Sequence, residues 1–259
     1  MKISIQPIMY SMTAAAMSSL SVPAFAQDYV QFGTGVDYSS GDYGEDVDTK
    51  MLAIPFSAKV QTGAVSFRAS IPYLFIEGPD GVIPGDNGPV VGGGGDTVSE
   101  RSGIGDLSLA ATYTLPVGNR TWFDATGKVK LPTADEEKFL GTGTTDFTVE
   151  GELLHSFGAV AATARAGRRF NGDSDLYDLQ DVWQLGAGIY YTTGATTLGL
   201  DYDWREASFA TAKDRSEVMG SITHNLGGGL RLQGYAYTGF NDASPDLGGG
   251  LQVLYRLGE

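Results

Sequence analysis

Cysteine is absent and histidine occurs only twice. The first absence excludes a disulfide framework and any thiolate metal site. The second leaves His155 and His224 as the only imidazoles for a Ser-His-acid arrangement, and no G-x-S-x-G elbow accompanies them. Basic residues are scarce, 17 Lys and Arg against 31 Asp and Glu, for a net charge of −14. That balance argues against a nucleic-acid partner, whose phosphates need Lys and Arg. Beyond residue 26 no apolar run reaches the roughly 18 residues of a spanning helix.

What is present begins with an export pattern. Lys2 is the only charge before Asp28, a mostly apolar and small-residue run covers 8–22, and Ala24-Phe25-Ala26 supplies an A-x-A cleavage site. These features predict a signal peptide over 1–26 and one mature domain over 27–259. An exported chain without cysteine is held by backbone pairing and burial alone. The 37 glycines, 13 tyrosines and 12 phenylalanines suit a curved sheet with rings at two interfaces.

The mature chain alternates apolar and polar residues at period two, the mark of strands with two different faces. Over 102–157 the pattern reads strand, short turn, strand, long loop, strand. Leu107, Leu109, Ala111 and Tyr113 share one face, against Asp106, Ser108, Ala110 and Thr112. Phe123, Ala125, Val129 and Leu131 oppose Asp124, Thr126, Lys128 and Lys130. The rhythm repeats along the chain to give about twelve strands, with short and long connections alternating. The longest loop is expected over 77–102. The spacing predicts an all-β fold, a closed antiparallel transmembrane β-barrel with short periplasmic turns and longer extracellular loops. Even parity puts both chain ends on the short-turn side, so first and last strands can pair and leave no edge in lipid.

Rings near strand ends predict aromatic girdles on the outer surface: Tyr38, Tyr73, Phe75, Tyr113, Trp122, Phe147, Trp183, Tyr191, Trp204 and Tyr255. Pro55 and Pro72 fall inside strands, where a closed barrel has no free edge for them; they predict bulges or shifted strand limits.

Charge on the lipid face is costly, so polar positions belong to the lumen. The lumen-lining candidates are Lys59, Arg68, Asp124, Lys128, Lys130, Glu150, Glu152, Arg165, Arg169, Asp201, Asp203, Arg205, Glu217 and Arg231. They form either a selectivity lining or a salt-bridged filling. Tyr190, Tyr235 and Tyr237 share the inward parity and could stack an apolar or aromatic solute, or simply fill space. His155 and His224 fall on the apolar parity near periplasmic strand ends, which suits an interface better than catalysis. Asp80, Asp86, Asp173, Asp175 and Asp178 form an acidic loop rim without EF-hand spacing. The four glycines at 92–95 lack the Lys-Ser/Thr of a phosphate loop.

The central stretch resembles the outer-membrane family of the MetA pathway of phenol degradation. The residues that carry the likeness are Gly103-Ile104-Gly105-Asp106, Lys130-Leu131-Pro132-Thr133 and Leu140-Gly141-Thr142-Gly143, with SFRASIPYLF at 66–75 beside them. The resemblance is specific over about 66–157 and diffuse beyond. It implies a porin-like barrel of the transporter type, with Gly103, Gly105, Asp106, Pro132, Thr133, Gly141 and Gly143 as its motif positions. The chain departs from common barrel practice at its end, Tyr255-Arg256-Leu257-Gly258-Glu259, which lacks a terminal ring for the assembly machinery to read.

The expectation is therefore a bacterial outer-membrane channel for passive passage of small solutes, aromatic or hydrophobic ones among them, with no enzyme activity, cofactor or metal. The alternative is a non-transporting barrel that acts as adhesin or scaffold through its acidic loops. Expected partners are outer-membrane lipid and lipopolysaccharide, a small-molecule solute and the barrel-assembly machinery, not nucleic acid.

Overall fold

The computed structural model describes residues 28–85, 97–174 and 177–258. The expected signal peptide, Asp86, Asp175 and the four glycines at 92–95 lie outside them.

From Tyr29 onward the chain forms twelve antiparallel barrel strands. They are β1 (Tyr29–Gly41), β2 (Thr49–Thr62), β3 (Val65–Pro79), β4 in two pieces (Val98–Ile104 and Leu107–Gly118), β5 (Thr121–Leu131) and β6 (Asp146–Ser156). Then follow β7 (Val160–Phe170), β8 (Val182–Thr193), β9 (Thr196–Arg205), β10 (Arg215–Gly227), β11 (Leu230–Gly239) and β12 (Leu247–Leu257). Each strand pairs with its sequence neighbours, and β12 pairs with β1 from Leu247↔Ser40 to Leu257↔Val30. The cylinder is thus closed, and no barrel strand keeps a row of unpaired backbone groups, which a bilayer would not satisfy.

Tight turns at 63–64, 119–120, 157–159, 194–195 and 228–229 mark one end. Loops L1 (42–48), L2 (80–97), L3 (132–145), L4 (171–181), L5 (206–214) and L6 (240–246) mark the other. L2 is shorter than the sequence pattern suggests. β3 continues to Pro79 and pairs there with Val98, because backbone pairing above the membrane needs no apolar alternation.

The period-two pattern appears as burial. In β1, Phe32, Val36 and Tyr38 are exposed while Gln31, Asp37 and Ser39 are buried. Tyr38, Tyr73, Phe75, Tyr113, Phe147, Trp183, Tyr191 and Tyr255 are all exposed on the outer surface. Trp122 corrects the girdle: it is 8% exposed and points inward. It shares the parity of Asp124, Thr126 and Lys128 on β5, and a strand-end position does not overrule that parity.

Pro55 and Pro72 stand opposite each other on β2 and β3. At Pro55 the β1–β2 ladder lapses between Thr34↔Phe56 and Asp37↔Ala53 with no change of register. At Pro72 the neighbouring β4 bulges, so three residues between Ile104 and Ser108 face the two between Tyr73 and Ser70. Gly105 N–H donates to Pro72 O at 2.9 Å across this bulge. The extra residue switches the inward parity from Arg101 to Ser108, so one strand serves two patterns. Beside the lapse the wall holds a cleft of about 500 Å³ whose lining includes Phe32, Phe56, Ala69, Ile71, Leu107 and Tyr255.

Candidate functional site

At the extracellular mouth loop residues pack together with strand side chains. Leu140 of L3, Tyr43 of L1 and Val82 of L2 pack on Met51, Ala53, Leu74 and Ile76, inward residues of β2 and β3. A second cluster joins Ile83 of L2, Tyr177 of L4 and Phe209 of L5, with Phe139, Leu179 and Ala212 against it. Five of the six loops therefore contribute apolar side chains to these two clusters. Burial pushes the Tyr43 phenol up to about 12, so it stays neutral within this apolar contact.

The residues of the family motif lock L3 into place. Lys130 on β5 places its ammonium 3.1 Å from both Asp106 and Asp146, and donates to Thr142 Oγ1 at 2.7 Å. Thr142 bonds Thr144, which donates to Asp146 at 2.7 Å. Thr133 follows Pro132 and donates to Gly105 O at 2.9 Å, while its hydroxyl accepts Leu107 N–H at 2.8 Å. Asp106 also accepts from Ala134 N–H at 3.1 Å. A Cβ on Gly141 would fall 2.9 Å from the Asp106 carboxylate, and Gly143 has φ +70° beside Glu136. Gly103 lies beneath Leu140. The bulge of β4 and the loop after β5 form one strap.

L2 is pinned by a residue outside the lumen candidates. The Arg101 guanidinium donates to Gly78 O, Pro79 O and Val82 O at 3.1, 3.2 and 2.7 Å, and stands 3.5 Å from Asp80. Asp80, proposed above as rim, also accepts from Ser99 at 2.6 Å. Among the described residues no group of three or more His, Asp or Glu is placed to hold a metal.

Below the loop clusters lies a charged belt on the inner wall. Arg165 on β7 pairs with Asp203 on β9 and lies 4.0 Å from Glu152 on β6. Tyr190 donates to Asp201, and Glu150 is buried beside them. Arg215 donates through Nε to Glu217 at 2.8 Å, and Arg169 donates to Ser208 of L5 at 2.7 Å. Arg205 is buried in register with Arg215. Tyr235 and Tyr237 do not present free rings for stacking: they lie stacked on each other and donate to the two oxygens of Asp37 at 2.7 and 3.0 Å.

Toward the turns, Lys59, Arg68 and Arg231 line the wall with Asp124 and Lys128 on β5. His155 and His224 face the other way. Each imidazole Nδ1 lies within hydrogen-bond distance of a threonine hydroxyl on the adjacent strand, Thr121 at 2.7 Å and Thr196 at 2.8 Å.

Sequence reasoning missed Asp37, Arg101, Arg215 and the loop apolar residues as parts of the interior. Asp37 carried a signal, since it alternates with Val36 and Tyr38. The loop residues carried none, because irregular backbone has no period to read.

A closed cylinder of twelve strands, apolar outside and polar within, is an outer-membrane β-barrel, and the outer membrane is where this protein resides. The chain belongs to the family described as "Putative MetA-pathway of phenol degradation", whose model matches residues 34–257. Its fold is similar to the COG4313 outer membrane channel from Pseudomonas putida F1, at 14% identity and a TM-score of 0.64, over 92% of this chain and 97% of that one. It is also similar to the KdgM porin, at 7% identity and a TM-score of 0.52, over 88% of this chain and 98% of that one. No curated protein matches the chain by sequence.

Proposed function

We propose that this barrel is a passive channel for small solutes, apolar and aromatic ones among them, gated by its loop plug. The observation that carries the reading is the origin of the plug. Tyr43, Val82, Ile83, Leu140, Tyr177 and Phe209 come from five loops, not from strands. Loop contacts open at lower cost than a strand-packed core. Their apolar side chains offer an entering apolar solute contacts equivalent to those it displaces. The name of the family and the channel and porin folds support transport rather than enzymatic work.

In this reading Arg165, Glu150, Glu152, Asp201 and Asp203 form the belt a solute passes, and the remaining lumen candidates set its charge preference. Residues 1–26 direct export, lipopolysaccharide meets the outer rim, and β12 meets the assembly machinery. Intact-mass measurement of the mature protein tests the cleavage after Ala26.

Swelling of proteoliposomes in neutral solutes of rising size tests the channel. The native barrel should admit the small solutes slowly, and a barrel lacking residues 134–143 should admit them several-fold faster. No swelling from either protein would favour the adhesin or scaffold alternative.

A further inference from the structure

The lumen is not charged evenly. Around the belt and the strap, three cations have carboxylates: Lys130 has Asp106 and Asp146, Arg165 has Asp203, Arg215 has Glu217. At the turn end of strands β11, β12, β1, β2 and β3 cations outnumber carboxylates. Arg256, Gln31, Lys59 and Arg68 occupy one continuous row, each directly opposite the next across four adjacent strands. Arg231 on β11 stands opposite Leu254 of β12, one inward position from Arg256, a diagonal of roughly 7–8 Å. The other inward positions here are Tyr29, Gly33, Ser57, Gln61, Ser66, Ser70, Gln233, Gln252 and Leu254. None of these is a carboxylate; Asp124 of β5 lies within electrostatic reach of Lys59, whereas Arg231 and Arg256 have no carboxylate in ion-pair contact among the described residues. Asp28 is directed elsewhere, accepting from Gly63 N–H at 3.1 Å.

The arrangement is costly in isolation. Like charges directly opposite on paired strands repel, and Lys59 and Arg68 are such a pair. Arg231 is only 8% exposed, and its Nη1 is buried without a hydrogen-bond partner. A buried guanidinium donor left unmet carries a desolvation penalty that a bound acceptor would remove. The side chains also share a platform. The Arg256 guanidinium lies 3.4 Å from the Tyr29 ring centre and Lys59 Nζ lies 5.9 Å from it, so the ring holds two cations near one another.

We infer that the turn end of the lumen, formed by Arg231 and Arg256 around Tyr29 with Lys59 beside them, is a binding site for an oxyanion, carried by a small solute as a carboxylate or phosphate group. The planar guanidinium forks of Arg231 and Arg256 match either group in two-point fashion. A solute with an apolar body and such a head would meet the loop plug at one end of the barrel and this site at the other. The site rests on the channel reading only for the route by which the anion arrives.

The test is binding, measured apart from conduction. Folded barrel in detergent is titrated into inorganic phosphate, followed by ³¹P line width, and into acetate labelled at its carboxylate carbon, followed by ¹³C line width. Arg231→Gln and Arg256→Gln are compared with Lys213→Gln, a loop control, and heat-modified gel mobility verifies that each is folded. At least one anion should bind the native barrel, and each lumen variant should bind it roughly ten-fold more weakly, while the control is unchanged. Response to phosphate alone or to acetate alone identifies the group. No broadening by the native barrel, or broadening by Arg231→Gln and Arg256→Gln equal to that by the native barrel, overturns the site. A barrel that binds the anion but admits no solute in swelling contradicts the channel and leaves the site standing.

Discussion

At the scale of single residues, the side of the strand decides what a substitution costs. Leu109 is exposed on the outer face of β4, and Leu109→Arg should destabilise the assembled barrel by about 2–4 kcal/mol in a bilayer. Thr126 faces inward opposite Glu150, so Thr126→Arg should cost far less. Reversible folding into lipid vesicles measures both; equal costs would contradict the assigned parity. Lys130 makes the sharper case. Lys130→Met leaves Asp106 and Asp146 buried without their shared cation, a loss of about 3–5 kcal/mol that urea unfolding should detect. The inward parity of Lys130, Glu152 and Arg165 was legible from alternation alone. Their partners were not. Tyr235 and Asp37 are 198 residues apart and meet only because β12 closes on β1, a register that no local pattern encodes. Trp122 was misread for a related reason, since its place near a strand end outweighed its parity.

At the scale of elements, the strap and the paired prolines are the two irregular devices. L3 turns through Gly143 at φ +70°, where a Cβ would collide with the Glu136 carboxylate. Gly143→Ala should cost about 1–2 kcal/mol from the backbone alone and loosen L3. Limited proteolysis checks this: cleavage within 132–145 should rise while the strands stay protected. The lapse opposite Pro55 makes a separate prediction. Toward β2, Thr34–Asp37 lack the regular ladder that β7 and β8 keep over ten consecutive pairs, Val160↔Tyr191 to Arg169↔Val182, although β12 still pairs with them on the other side. Hydrogen exchange in detergent should therefore be faster in β1 near residues 35 and 36 than in the middle of β7. Sequence marked both prolines as irregular but did not show that they face each other. That follows from the β2–β3 register, fixed by the two-residue turn at 63–64. The motif glycines and Asp106 were visible as a pattern, while their joint role in holding L3 needed the bulge of β4 in space.

At the scale of the molecule, the charges follow the axis. Apolar loop residues pack at the extracellular mouth, paired charges ring the middle, and cations outnumber carboxylates at the turn end of β11 to β3. The closed twelve-strand form was legible because lipid outside and water inside impose one period on every strand. The plug was not, because loops packed on one another obey no such period. Single-channel recording across a planar bilayer tests the gated channel most directly, with the native barrel compared against Leu140→Asp, which places a charge inside the buried plug. The native protein should show a small current with rare larger steps, and in Leu140→Asp the larger step should dominate. Silence from both proteins, or identical records from the two, would contradict a channel gated by its loops.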